Sequence, residues 1–269
     1  MGVKKKIVKV AFAGAGNMAE EHIKVFKNLD KYYALTGIYS RTKSKANILK
    51  NRYKINNLCN SISDLKFKSK AKLLVISTSV LSTKKVLFEA LKFNWKILVE
   101  KPIGFNFQES QKIYERIKKS KKMKHVFVGL NRRNFESTRK AIFYLKKKME
   151  KRIVEIFDFQ YKFNPTIQKH PKLVQKYWMY ANSVHLIDYF NIFCRGSLVS
   201  INYKKRWDEK KMDSVIAKLH FSSGDIGKYN CYWNKNGKWK IFIKQKKNKY
   251  IFQPLEKLRI KNSSKKYKD

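Results

Sequence analysis

A short apolar run, Ile7 to Ala13, leads directly into Gly14-Ala15-Gly16-Asn17-Met18-Ala19, and the residues from Met18 to Leu29 then carry helical spacing. A strand, a glycine turn and a helix in that order open a βαβ unit, which commits the chain to a parallel sheet. Each small residue in this GxGxxA pattern has a physical duty. Gly14 permits the tight turn, Gly16 lets a pyrophosphate approach the backbone, and Ala19 is small enough for close packing of helix on strand. The phosphates rest on the helix N-terminus, which brings in Asn17 and Met18. Gly14, Gly16, Asn17, Met18 and Ala19 are therefore candidate dinucleotide contacts; the competing reading is an ordinary glycine turn.

The pattern continues. Tyr33 to Tyr39 is a second apolar run, followed through Ser40-Arg41-Thr42 by a helix ending near Tyr53, and Leu73 to Ser77 is a third. Val80, Val86, Leu87, Ala90 and Leu91 have helical spacing before Ile97 to Val99, and Ile113 and Ile117 mark another helix before Val126 to Leu130. This alternation predicts a doubly wound α/β sheet over residues 1–131. From 132 to 269 the pattern changes to α+β: a helix over Ala141–Lys148, an apolar helix over Val184–Phe193, then strands. Val215, Ala217, Leu219 and Phe221 alternate with polar neighbours, Ser223-Gly224-Asp225 turns the chain into Ile226–Trp233, and Asn234-Lys235-Asn236-Gly237 leads to Trp239, Ile241 and Ile243. The expectation is an antiparallel meander, with Tyr229, Tyr232, Trp233 and Trp239 as core or as a subunit interface.

Composition narrows the function classes. The 63 Lys and Arg against 19 Asp and Glu give a formal charge of +44, enough to attract nucleic acid by counterion release. The lysines are spread over every segment, however, as background composition would spread them, so no specific nucleic-acid partner is expected. The densest run, Lys118 to Lys124, falls where a helix ends and reads as a solvated face. Cys59, Cys194 and Cys231 are odd in number and far apart, which fits a reducing cytoplasm and offers no metal-ligand spacing. Lys4-Lys5-Lys6 and the apolar stretch after it imitate a secretory leader, but Lys9 breaks the stretch, and it reads as the first strand. No run reaches the roughly 18 apolar residues of a membrane span.

Two further segments carry chemistry. After the second strand, where an acid commonly binds the ribose hydroxyls, the chain reads Tyr39-Ser40-Arg41-Thr42. Ser40 and Thr42 can donate to a 2′-phosphate and Arg41 can pair with it or stack on adenine, which favours NADP over NAD; a helix cap with an exposed arginine is the alternative. Ser77 and Thr78, where the third run ends, and Glu100 and Lys101 complete the candidate cofactor set. Val99-Glu100-Lys101-Pro102-Ile103-Gly104 closes a strand at the sheet edge where such folds place ligands.

Taken together, GxGxxA, Ser-Arg after the second strand, Glu-Lys-Pro, Asn131-Arg132-Arg133 and His185-Leu186-Ile187-Asp188 resemble the Gfo/Idh/MocA family, the glucose-fructose oxidoreductase and inositol dehydrogenase group, over nearly the whole chain. Phe221-Ser222-Ser223-Gly224 and Pro254-Leu255-Glu256 look like members from sugar or polysaccharide metabolism. The resemblance implies that Lys101 lies between the nicotinamide ribose and the substrate and polarises a sugar hydroxyl or carbonyl, a role that suits an ammonium near an oxygen gaining negative charge. It implies that His185 is the general acid or base, for which imidazole has a suitable pKa. Lys101 and His185 are thereby expected to meet at one reaction centre.

The chain departs from the family's pattern at Ala181, where many members carry an aspartate one helical turn before the histidine, and at Ser79–Thr83, where a histidine is usual. It also ends soon after Pro254-Leu255-Glu256, where longer relatives continue into a helix, so a naturally short subfamily or a less enclosed cleft is expected. Asn182 and Asp188 are polar neighbours of His185, with Asn182 a candidate for a sugar hydroxyl. Arg133, with Arg132, is a candidate for an anionic substrate group, or a solvated hinge. The reading that follows is a cytoplasmic NAD(P)-dependent oxidoreductase acting on a sugar or sugar nucleotide, with homo-oligomerisation through the C-terminal sheet. The competing reading is a dinucleotide-binding scaffold or sensor of weak or no catalysis.

Overall fold

The computed structural model describes residues 6–146, 150–161, 164–207 and 212–262. Lys4, Lys5, positions 147 and 148 of the expected Ala141–Lys148 helix, and the Lys265–Asp269 tail lie outside them. The chain divides into two compact units, Met1–Gly129 and Leu130–Asp269.

In the first unit β1 (Val8–Ala13), β2 (Tyr33–Tyr39), β3 (Asn57–Cys59), β4 (Leu73–Ile76), β5 (Lys96–Val99) and β6 (Val126–Val128) form one parallel sheet in the order β3-β2-β1-β4-β5-β6. The intervening helices are α1 (Asn17–Asn28), α2 (Lys43–Tyr53), α3 (Ile62–Ser69), α4 (Val80–Ala90) and α5 (Phe107–Lys119). Burial explains why β1 reads as a continuous apolar run and not as an alternating one. Val10 and Phe12 pack with Ile23 of α1 and Leu49 of α2, while Ala11 and Ala13 face Leu65, Leu87 and Ile113 on the other side, so both faces of the strand are covered. The order reverses between β1 and β4, which is the switch point where ligands bind in such sheets.

One expectation is corrected in this unit. The basic run at the end of α5 is not purely a solvated face: Lys122 donates to the carbonyl oxygens of Leu91 and Phe93, at 2.7 and 2.5 Å, closing the exit of α4. Partial burial lowers its pKa.

The second unit holds α6 (Glu136–Lys146), β7 (Ile153–Phe159), α7 (Pro165–Gln168), α8 (Lys172–Lys176), α9 (Val184–Phe193), β8 (Leu198–Trp207), β9 (Met212–Phe221), β10 (Ile226–Tyr232), β11 (Lys240–Gln245), β12 (Asn248–Phe252) and β13 (Leu258–Asn262). Its sheet runs β13-β12-β11-β7-β10-β9-β8, antiparallel at every pairing except β7 with β10. The Ser223-Gly224-Asp225 turn does join antiparallel β9 and β10. The simple meander does not hold, because β7 inserts between β10 and β11 and the Asn234–Gly237 segment joins strands that are not neighbours. The reason lies in the β7 sequence, Ile-Val-Glu-Ile-Phe-Asp-Phe: Val154, Ile156 and Asp158 point inward, and a fully buried aspartate conceals the alternation. Tyr229 and Trp233 are core, whereas Tyr232 lies on the opposite face, stacked on Phe159 at 5.5 Å.

Asp225 does more than turn the chain. Its fully buried carboxylate accepts from the backbone N–H groups of Arg152 and Arg195, both at 2.9 Å, and from the Arg195 guanidinium at 2.7 and 2.9 Å. Burial pushes its pKa up, but Arg195 and the two backbone donors outweigh this and hold it below the ordinary value. Among the described residues no helix is long and apolar enough to cross a membrane. The three cysteines are free and buried, and burial pushes the Cys59 thiol up to about 11 and that of Cys194 to about 12.

Candidate functional site

The carboxyl edge of β1 and β4 is built around Gly14. Its φ of +122° is a region that residues with a Cβ rarely occupy, and a Cβ there would collide with the Ser77 carbonyl at the end of β4. Its N–H donates to the Tyr39 carbonyl at 2.8 Å and that of Ser77 to the Ala13 carbonyl at 2.9 Å, so the ends of β1, β2 and β4 are tied together. Gly16 is different: a Cβ there would meet no atom within 4 Å, so the backbone faces open space at the N-cap of α1. No side chain caps this helix, and its first-turn N–H groups remain available to an anion. Asn17 and Met18 are exposed and Ala19 is fully buried. This cradle fits a pyrophosphate.

At the end of β2, Ser40 is half-buried, Arg41 and Thr42 are exposed, and the Ser40 hydroxyl accepts from the Thr42 N–H at 3.3 Å. Thr42 is the N-cap of α2, but its side chain makes no capping bond. Ser77 is buried and Thr78 half-buried, the latter 3.2 Å from the Thr83 hydroxyl.

Lys101 follows β5 and is half-buried. The loop after it is pinned by a reciprocal cap: Asn106 Oδ1 accepts from the Glu109 N–H at 2.8 Å, while Glu109 accepts from the Phe105 N–H at 3.0 Å and pairs with Lys84 at 3.0 Å. Glu100 accepts from the Lys101 N–H at 3.2 Å and lies 2.7 Å from His22 Nε2 on α1. Sequence reasoning did not single out His22. Its signal was helical position, since it follows Met18 by one turn on the helix that opens the cradle.

In the second unit His185 is the second residue of α9 and is 9% exposed. It follows a π-helical turn, Met179–Ser183, that holds Ala181 and Asn182. Arg133 and Asp188 form a two-pronged pair, Nε to Oδ2 at 2.6 Å and Nη2 to Oδ1 at 2.5 Å. This hydrogen bond raises the Arg133 pKa against the effect of burial. The pair braces the Asn131–Asn134 3-10 turn against α9, so both charges are already engaged within the unit. A polar cleft is lined by Gln160, Asn164, Thr166, Trp178, Asn182 and Asn236, among others. Beneath it Asp158 is fully buried, and that burial pushes its pKa up although hydrogen bonds from Tyr229 and Gln160 favour its charged form.

Residues 8–130 match the model of the Gfo/Idh/MocA oxidoreductase family, described by its NAD-binding Rossmann fold. No curated protein sequence matches the chain. Among solved structures, a levoglucosan dehydrogenase in complex with NADH and levoglucosan superposes with a TM-score of 0.79 at 14% identity, covering 97% of this chain and 77% of that one. The WlbA dehydrogenase from Bordetella pertussis, in complex with NADH and UDP-GlcNAcA, gives 0.77 at 14% identity over 97% of this chain and 84% of its own. An oxidoreductase from Thermotoga maritima gives 0.77 at 18% identity over 97% and 82%. At these identities the likeness is one of fold. Over residues 8–130 the chain is similar to the Gfo/Idh/MocA oxidoreductase family, which is described by an NAD-binding Rossmann fold.

Proposed function

We propose that the chain moves a hydride between a nicotinamide cofactor and a carbon bearing a hydroxyl or keto group on a sugar or sugar nucleotide. The observation that carries this reading is the pairing, in one sheet, of a glycine cradle fitted to a dinucleotide with Lys101 at the neighbouring carboxyl edge. Gly14, Gly16, Asn17, Met18 and Ala19 would hold the pyrophosphate, and Ser40, Arg41, Thr42, Ser77, Thr78 and Glu100 would flank the remainder. Bound nicotinamide supplies the hydride donor or acceptor. Lys101 polarises the substrate oxygen and His185 carries its proton. The solved relatives that hold NADH with levoglucosan or UDP-GlcNAcA support the carbohydrate class. The polar cleft beside Asn182 supports it too, because amides and an indole suit a ring rich in hydroxyls. The test is a cofactor titration followed by a screen of sugars and sugar nucleotides for absorbance change at the reduced nicotinamide band.

NADP is the preferred cofactor in this reading, since Ser40, Arg41 and Thr42 stand where no carboxylate repels a 2′-phosphate. Replacing Arg41 by alanine is expected to weaken NADPH binding by about tenfold, the loss of one charge-assisted hydrogen bond, with NADH nearly unaffected. Equal affinities for both cofactors in the unaltered protein defeat the preference.

The buried free cysteines support a reducing cytoplasm. Apolar residues left exposed on β8, Val199, Ile201 and Tyr203, support oligomerisation through the C-terminal sheet. Nucleic-acid binding is expected to be sequence-independent and to vanish as salt rises through roughly the physiological range, as charge-only contacts do. A sequence preference persisting at that salt in a gel-shift series turns the basic composition into a function.

A further inference from the structure

We propose that a buried hydrogen-bond relay through Tyr229, Asp158 and Gln160 sets the polarity of the Asn182 amide, so that its Oδ1 accepts a hydroxyl proton from a ligand in the polar cleft. The proposal rests on the carbohydrate reading above and specifies which hydrogen-bonding partner this point of the cleft takes.

The direction of the relay follows from what each group can do. The Asp158 carboxylate, fully buried on β7, accepts at both oxygens: Oδ2 from the Tyr229 hydroxyl at 2.7 Å and Oδ1 from Gln160 Nε2 at 2.8 Å. Gln160, 5% exposed, must turn its Nε2 toward that carboxylate, which leaves its Oε1 facing the π-helical turn. The opposite end enforces the same orientation independently. The Trp178 indole N–H can only donate, and it donates to Gln160 Oε1 at 3.2 Å. With a carboxylate on one side and an indole N–H on the other, a flipped Gln160 would set donor against donor and acceptor against acceptor.

The Asn182 orientation follows. Its Nδ2 donates to the same Gln160 Oε1 at 3.3 Å, so its Oδ1 is the limb of the amide that the relay does not hold. Asn182 is half-buried and lines the cleft. Nothing local in Met179–Ser183 decides which limb of that amide turns inward; the buried aspartate two residues before Gln160 decides it. The cleft therefore offers an acceptor here, suited to a sugar hydroxyl and unsuited to a carboxylate or carbonyl oxygen. Because the π-helical turn leads directly into α9, the relay makes Asp158 and Gln160 positioning residues for the segment that carries His185.

The experiment uses the full-length protein labelled with ¹⁵N and has two arms. Without ligand, the Trp178 indole proton and one Asn182 amide proton are expected to exchange slowly with solvent. Gln160→Met is expected to remove that protection, while Asp158→Asn, whose amide oxygen still accepts from Gln160, is expected to keep it. Fast exchange of both protons in the unaltered protein overturns the relay, and this measurement needs no variant to fold. In the second arm D-glucose and its monodeoxyfluoro analogues are titrated while the Asn182 signals are followed. One analogue is expected to bind about tenfold more weakly than glucose, because fluorine cannot donate. That difference is expected to disappear in Asn182→Leu. If the relay protons are protected but neither glucose nor any analogue moves Asn182, the hydroxyl-accepting role is overturned. The oxidoreductase reading is judged separately, by cofactor titration and nicotinamide absorbance.

Discussion

Replacing Asp225 by alanine is expected to destabilise the second unit by about 3–5 kcal/mol, the cost of breaking a buried ion pair from one side. The carboxylate satisfies two backbone N–H groups and the Arg195 guanidinium at once, and all of these stay in place when it is removed. Arg152 adds to the penalty. It is 7% exposed and donates to the carbonyls of Phe193 and Leu145, and its pKa is lowered by burial and by Arg195, against which Asp225 is the compensating charge. Urea unfolding followed by tryptophan fluorescence should show a lower midpoint for the transition of this unit with an unchanged slope. Asparagine at 225 keeps the shape and lacks the charge, so its loss should be smaller.

The same residue gives a sign to the pH dependence. The Asp225 pKa is depressed in the folded state, so its stabilisation is present above the ordinary aspartate value of 3.8 and is lost as the pH falls below it. Asp158 runs the other way. Its pKa is raised by burial, so its contribution is full below 3.8 and declines as the pH rises through its folded value. Asp225→Asn should therefore flatten the acid limb of the stability curve. An Asp225→Ala protein that unfolds at the urea concentration of the parent would show that the carboxylate contributes nothing beyond its turn.

How much of this was legible in the sequence depended on where each element finds its partners. In the first unit β1 and β4 are covered on both faces, so Val10-Ala11-Phe12-Ala13 and Leu74-Val75-Ile76 read as apolar runs with no ambiguity of face. Only β3 and α3 were missed: three residues, Asn57-Leu58-Cys59, are too few to show a period, and a helix of eight residues follows at once. The second unit hid more. β7 places an aspartate at a core position, which local reading scores as a break and which hydrogen bonds from residues such as Tyr229 and Gln160 make tolerable. β8 is exposed along the whole stretch from Leu198 to Arg206 and so lacks the alternation that marks a strand.

The site divides along the same line. The glycine cradle and the Glu-Lys-Pro segment are local, and their chemistry is written in consecutive residues. The His22–Glu100 contact spans 78 positions, and the Asp158–Tyr229 bond spans 71. No local pattern announces either one. The Arg133–Asp188 pair illustrates the converse: each residue was a plausible substrate contact by type, and the structure joins them to each other.

Lys101→Ala and His185→Ala are each expected to reduce turnover by about 10²-fold or more while leaving NAD(P)H affinity nearly unchanged, the usual loss for a positioned acid-base or electrostatic group. The argument for Lys101 is its setting. It follows β5, next in the sheet to β4 and the Ser77 carbonyl that crowds Gly14, and its loop is held by the Asn106–Glu109 cap. An ammonium held there can stabilise negative charge developing on a substrate oxygen. The cap should let alanine replace it without moving the cradle. For His185 the argument is position in the first turn of α9 directly after the π-helical turn. If the two residues serve one step, polarisation by Lys101 loses its value once the proton carrier is gone, and the double variant should lose far less than the product of the single losses. Steady-state rates with a sugar turned over by the parent protein, alongside cofactor titrations of all four proteins, decide the matter. A scaffold that binds dinucleotide without catalysis shows no turnover on any sugar and identical cofactor affinity throughout. Full activity in His185→Ala removes His185 as proton carrier and leaves Lys101 as the residue on which the reaction depends.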